Sequence, residues 1–338
     1  MKRRGEQPMV PAAEFTSYYG RPVLKEPVWE ADIPAYLFLG GLAGASSVLA
    51  AAAERRGSPD LSRAAKVGAA GAIGVSAALL VHDLGRPSRF LNMLRVFKPS
   101  SPMSVGSWLL AAYGPVAGVA AVSAVTGKLR RLGLSCTAGA AALGPAVSTY
   151  TAALICDTAV PAWHDGYREM PYLFAGSAAT AAAGLGLLTA PVEQTRPAQR
   201  LAVIGAATEL AAARLLTRRL GITGGPYRSG RAGAALRVSE GVTAAGLAGA
   251  LVGRRSRAVA ALSGAALLAA SAVSRFAIFD AGRVSARDPR YTIVPQRERI
   301  AAAQGGAAQG GAAAVATPGD PGDSGDSGAP PSSAAAPG

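Results

Sequence analysis

Four stretches of more than twenty residues carry no charged side chain: 33–53, 99–127, 132–156 and 170–192. About twenty mostly apolar residues suffice to cross a bilayer as a helix. In lipid, a helix is the element that satisfies its own backbone donors and acceptors. These runs therefore restrict the chain to a bundle of transmembrane helices. A further apolar run covers about 64–84. Three more carry internal charge: about 198–217 with Glu209 and Arg214, 232–253 with Arg237 and Glu240, and 258–279 with Arg275. The reading is an all-α membrane protein, a bundle of eight transmembrane helices.

Composition agrees. A chain of 338 residues has the length of two soluble domains, yet half of it is hydrophobic, 16% is charged and the mean hydropathy is +0.26. Soluble domains carry roughly 25% charged residues. The two cysteines, Cys136 and Cys156, form no CxxC pair, which excludes a disulfide scaffold and a zinc or iron–sulfur site made by this chain alone. The net charge of +14 raises nucleic acid as a partner. The basic residues, however, sit in short clusters between apolar runs, such as Arg55-Arg56, Lys128 to Arg131 and Arg254 to Arg257. That is where helices leave a bilayer, so the partner is membrane lipid and no nucleic acid. Glycines four apart (Gly40 and Gly44, Gly114 and Gly118, Gly249 and Gly253) allow close helix packing.

Three segments follow: an extramembrane N-terminal segment (1–30), a transmembrane domain (31–284), and an extramembrane tail (285–338). The first segment has no apolar core of a signal peptide, so the first span is its own insertion signal. From about Ala301 the chain becomes Ala, Gly, Pro and Ser, a composition that predicts a disordered C-terminal tail.

Eight spans put both termini on one side, face A, with the loops after spans two, four and six. Trp29, Trp108, Trp163, His82 and His164 all fall on face A. Tryptophan belts and snorkelling account for each residue singly but not for a face B without Trp or His. Ionisable groups inside spans are costly and usually line a polar cavity. A polar site opening toward face A is therefore expected. For sidedness the counts conflict. The N-terminal basic residues flanking the first span put face A in the cytoplasm, whereas face B has compact basic clusters nearly free of acids.

The richest face-A segment is His82-Asp83-Leu84-Gly85-Arg86-Pro87, followed by Ser101-Pro102-Met103-Ser104-Val105-Gly106-Ser107-Trp108. Gly85 and Pro87 end a helix. Asp83 and Arg86 are spaced for an ion pair, and Phe90, Leu91 and Leu94 for a short interfacial helix over 90–96. This segment resembles the NrfD/PsrC family, membrane anchor subunits of polysulfide-reductase-type molybdoenzymes. Pro34 to Gly41 resembles the family's first span, and Tyr150-Thr151-Ala152 its fourth, with Ala152 where the family has glycine. Glu209 to Ala212, with Arg219-Leu220-Gly221 and Tyr227 to Gly230, resembles its sixth span and the loop after it. The resemblance covers about 29–280.

It implies a cell-membrane subunit that exchanges electrons between the quinone pool and a 4Fe–4S ferredoxin-like subunit, which in turn serves a molybdopterin catalytic subunit in anaerobic respiration. Many relatives dock that partner outside the cytoplasmic membrane. Quinone or menaquinone would be bound substrate. No haem, iron–sulfur cluster or metal is expected in this chain: transmembrane haem b needs histidines on spans, and both histidines belong to face A.

Quinone chemistry needs polar groups at both ring oxygens and a proton route. Tyr150 and Asp157 are seven apart, on one helix face. Tyr150 could donate to a ring oxygen, and Asp157, His82 or Asp83 could pass a proton. Tyr36 and Arg86 complete the quinone-binding set. Taken singly, each could equally be an interfacial anchor or a structural ion-pair member. Arg237 and Glu240, at i and i+3, most simply pair with each other. With Glu209 and Arg275 they could instead form a proton track. The competing readings are a secondary transporter, weakened by the lack of an internal sequence repeat, and a non-catalytic membrane anchor.

Overall fold

The computed structural model describes residues 23–301 apart from Val28, Pro87, Arg254 and Arg255. The regular elements among them are helical: α1 (Asp32–Arg55), α2 (Pro59–Asp83), α3 (Arg89–Met93), α4 (Pro102–Thr126), α5 (Arg130–Cys156), α6 (Pro161–His164), α7 (Met170–Thr189), α8 (Arg196–Arg219), α9 (Gly225–Arg228), α10 (Gly230–Val252) and α11 (Arg257–Arg287), with a 3-10 turn at Val192–Gln194 before α8. These belong to one compact unit ending at Ile293; in the unit that begins at Val294, residues 294–301 are helical. The tail expected to be disordered lies outside the described residues from 302 on, as does Pro87.

Seven helices (α1, α2, α4, α5, α7, α10 and α11) are long and apolar enough to cross a membrane. The protein is thus a multi-pass helical membrane protein. The sixth expected span, α8, is as long, but Arg196, Arg200, Glu209, Arg214, Arg218 and Arg219 keep it below that apolarity. Its buried residues recur every three or four positions: Ala198, Ala202, Gly205, Ala206, Glu209, Ala212 and Leu216. This is the stripe of a helix packed on one side, and α8 packs on α7.

The helix ends follow local chemistry. Ser101 caps α4 through its hydroxyl, 3.5 Å from the Ser104 amide, with Pro102 in the first turn; Gly127, at φ +71°, closes it. Ser256 caps α11 in the same way. Gly57, at φ +67°, turns the chain between α1 and α2.

Helices α1, α2, α4 and α5 form one packed group, and α7, α8, α10 and α11 a second; α7 joins them by packing on α1 and α5. Small residues set the closest crossings. At the α1–α5 crossing, Gly44 lies against the Gly144 carbonyl; at the α7–α11 crossing, a Cβ on Gly184 would sit 2.6 Å from the Gly264 carbonyl oxygen. Gly114 and Gly118, expected to serve the same purpose, meet nothing within 4 Å.

Two expectations are corrected here. The face-A helix is a single turn, Arg89–Met93, and Leu91 is 68% exposed, because four or five residues cannot bury a whole apolar face. Helix α11 runs to Arg287, past the expected end near 279, because Arg283 and Arg287 of its last turns hold the Glu26 carboxylate at 2.8 and 2.7 Å.

Candidate functional site

The helix order brings the α1 start, the α2 end, the α4 start and the α5 end to face A. There α1 contributes Ile33 and Tyr36, α2 Leu80 and Asp83, α4 Met103, Gly106 and Ser107, and α5 Tyr150 and Leu154 to one cavity, closed over by Trp29, Leu84 and Met93. The Tyr36 and Tyr150 hydroxyls are in direct contact at its centre. Tyr36 is buried, and its carbonyl accepts a bond from the Ser76 hydroxyl at 3.1 Å, which ties α1 to α2 beside the cavity. Gly106 makes room for Tyr150: a Cβ there would collide with the tyrosine ring.

The cavity measures about 60 Å³. Chemically, the cavity offers two phenol hydroxyls and a half-buried carboxylate among aliphatic, methionine and tryptophan side chains, a donor-and-acceptor set suited to an aromatic ring bearing two oxygens.

Of the residues named from sequence, Tyr36, Asp83 and Tyr150 come together. His82 does not: its Nδ1 lies 2.6 Å from Asp32 Oδ2, with the ring 80% exposed. Arg86 is exposed, and the expected Asp83–Arg86 pair is not formed; the His82–Asp32 contact fastens α2 to α1 instead. Asp157 is also outside. The seven-residue spacing from Tyr150 assumes unbroken helix, but α5 ends at Cys156 and Asp157 is its exposed cap, at φ −81°, ψ 42°. His164 is exposed, its Nδ1 3.2 Å from the Cys156 carbonyl oxygen.

The residues expected in a proton track fall into two groups. Glu209 and Arg275 are buried between α7, α8 and α11, at 6% and 1% exposure. Arg275 Nη2 donates to the Phe174 carbonyl at 2.7 Å, and its guanidinium lies 3.6 Å from the Phe174 ring centroid. Ser177, Ser271 and Ser274 form a hydroxyl cluster, with Ser177 Oγ 2.8 and 3.2 Å from the other two. Glu209 Oε2 and Arg275 Nε and Nη1 have no hydrogen-bond partner among the described residues. Buried polar groups of this kind normally hold ordered water. Arg237 and Glu240 do not pair with each other. Arg237 Nη1 donates to the Arg228 carbonyl at 2.7 Å, and with Arg214 both residues line a separate face-A cavity of about 220 Å³.

Sequence reasoning missed the role of Trp163, which reads as an interfacial belt residue. It is fully buried, donates to the Ile278 carbonyl at 2.9 Å, stacks on Trp29 at 6.0 Å, and seats its ring against Gly282 of α11. It also missed Met93, Met103, Gly106 and Ser107 as cavity walls, although the last three stand in the Ser101–Trp108 motif. Glu169, just before α7, holds Arg219 at the end of α8 at 2.6 Å; that guanidinium keeps the Glu169 carboxyl below its ordinary 4.5.

The family model described as polysulphide reductase, NrfD, matches residues 22–222. The chain belongs to the NrfD family. It is therefore a membrane subunit of a respiratory oxidoreductase complex, working with other subunits of a redox enzyme. The NrfD match spans α1 to α8, and so includes the tyrosine cavity and Glu209 but not Arg237, Glu240 or Arg275. Among curated proteins, none matches the chain.

Proposed function

We propose that this chain is the quinone-reactive subunit of its complex, exchanging electrons between the quinone pool in the cell membrane and a 4Fe–4S ferredoxin-like subunit that serves a molybdopterin catalytic subunit. The observation that carries the reading is the convergence of Tyr36, Asp83 and Tyr150 on one apolar-walled cavity at face A. A quinol gives up two electrons and two protons. Tyr150 hydrogen-bonds one ring oxygen once its contact with Tyr36 opens, Tyr36 orients it, and Asp83, half-buried beside the loop to α3, carries protons toward face A. The two electrons pass to, or come from, the 4Fe–4S cluster of the partner subunit docked over the same face. With quinone as substrate and the clusters in the partners, the chain itself needs no haem, iron–sulfur cluster or metal. Helix α8 completes eight spans, with Glu209 buried and its arginines exposed.

Glu209 and Arg275, sealed in the second helix group, support a proton track only in combination with bound water, since Arg237 and Glu240 stand apart from them at the neighbouring cavity. Buried intramembrane charge of this kind is also what a secondary transporter would carry. The two readings separate on purification in mild detergent with iron, molybdenum and quinone analysis. The redox reading expects all three with the chain, and quinone-linked turnover at least about tenfold lower in Tyr150→Phe, the loss of one well-placed hydrogen bond. A chain that purifies free of iron, molybdenum and quinone, or a Tyr150→Phe complex with normal turnover, overturns it. Asp157→Asn, outside the cavity, should leave turnover unchanged.

A further inference from the structure

A second large cavity lies at the opposite end of the first helix group from the tyrosines. It measures about 650 Å³ and is enclosed by the α1–α2 turn (Glu54, Gly57 to Asp60) and the α4–α5 turn (Ser123 to Gly127, Arg130 to Leu134), with Arg63 and Lys66 on its α2 side. Of its two acids, Glu54 is held in an ion pair and Asp60 by a neutral amide. Glu54 Oε2 takes Lys66 Nζ at 2.5 Å, and Asp60 Oδ2 accepts from the Gln194 amide at 2.7 Å. Its two arginines, Arg63 and Arg130, are exposed and have neither a carboxylate nor a hydrogen-bond partner among the described residues. Helix α5 also begins without a side-chain cap, because Leu129, at φ +54°, occupies that position, so its first-turn amides add to the positive end of the helix. Arg63, Lys66 and Arg130 outnumber Glu54 and Asp60 by one positive charge, and the α5 start adds to the positive potential of the cavity.

Its position says which anion. The cavity lies where α2, α4 and α5 leave the bilayer. Leu134, on its wall, is 40% exposed, and Val122 and Val125 at the end of α4 are 62% and 53% exposed. A phosphate seated between Arg63 and Arg130 would have acyl-chain surface next to it. We propose that this face-B cavity binds the phosphate of an anionic glycerophospholipid, with Arg63 and Arg130 as its direct ligands and the Lys66–Glu54 pair as a fixed floor. The site is independent of the tyrosine cavity and of the quinone reading.

The test uses the full chain in detergent with phosphatidylglycerol and phosphatidylcholine of the same acyl chains, followed by native mass spectrometry and thermal shift. Phosphatidylglycerol should bind preferentially, and Arg63→Gln and Arg130→Gln should each weaken it about fivefold. Arg196→Gln, a face-B arginine outside the cavity, should change nothing. The lipid comparison on the unaltered chain needs no variant to fold. A second variant-free measurement is photo-crosslinking of a headgroup-labelled phosphatidylglycerol, expected on residues 54–66 and 123–134. Equal binding of the two lipids, crosslinks elsewhere, or an undiminished preference in a folded double variant would overturn the proposal. Full displacement of the lipid by millimolar inorganic phosphate would reassign the site to a soluble anion and overturn it equally.

Discussion

Two glycines carry much of the specificity of the side chains around them. Gly106 leaves the space that the Tyr150 ring fills, and Gly282 the space under Trp163. Either Cβ would have to displace an aromatic ring that is part of a packed interior, and overpacking of that kind costs about 1–3 kcal/mol. The two consequences differ. Gly106→Ala should push Tyr150 off its partner and cut quinone-linked turnover, with a smaller fall in the unfolding midpoint, because half-buried Tyr150 borders a cavity. Gly282→Ala should lower the unfolding midpoint, since Trp163 joins α6 to α11 through ring packing and the Ile278 carbonyl. Near-wild-type midpoint for Gly282→Ala would mean that the tryptophan moves aside at no cost. Tyr36, Asp83 and Tyr150 were legible as polar residues near spans' face-A ends. Their convergence was not, because it depends on which helices neighbour α1. Asp157 misled because its spacing held only if α5 continued.

At the level of elements, α8 combines a charged sequence with a packed face. Glu209 is buried and the arginines of α8 are exposed, while a small-residue stripe packs on α7. If α8 crosses the membrane, a sidedness reporter fused after Thr195 and one fused after Arg219 should give opposite signals; equal signals would leave seven spans. The face-A ends of α7 and α8 are joined by Glu169 and Arg219. Because Arg219 holds the Glu169 carboxyl low, the folded state binds a proton there less readily than the unfolded chain does. The contribution is therefore complete above the ordinary value of 4.5 and is lost as pH falls through the lowered one. The thermal midpoint of the wild-type chain should approach that of Arg219→Gln on acidification below that range, and exceed it above. A constant gap down to low pH would show that the pair adds no pH-dependent stability.

For the molecule as a whole, the remaining question is which way face A points. The N-terminal basic flank favours the cytoplasm, and a reporter active only outside the cytoplasm, fused after Arg290, should then stay silent. Strong activity would place face A, the tyrosine cavity and the docked redox partners on the outer side. By itself the sequence determined the class of the protein, the positions of the spans, and the family through its His82–Pro87 and Ser101–Trp108 segments. The reason is that lipid demands long apolar helices whatever surrounds them, and a short motif is local. Only the tertiary structure decided that Tyr36 meets Tyr150, that Arg275 is sealed near Glu209 while Arg237 and Glu240 line another cavity, and that Trp163 is core rather than belt. Those outcomes depend on which helix faces touch, and in a chain so rich in alanine and glycine many faces are alike in composition. The close glycine crossings that settle the choice become visible only once the helices are packed.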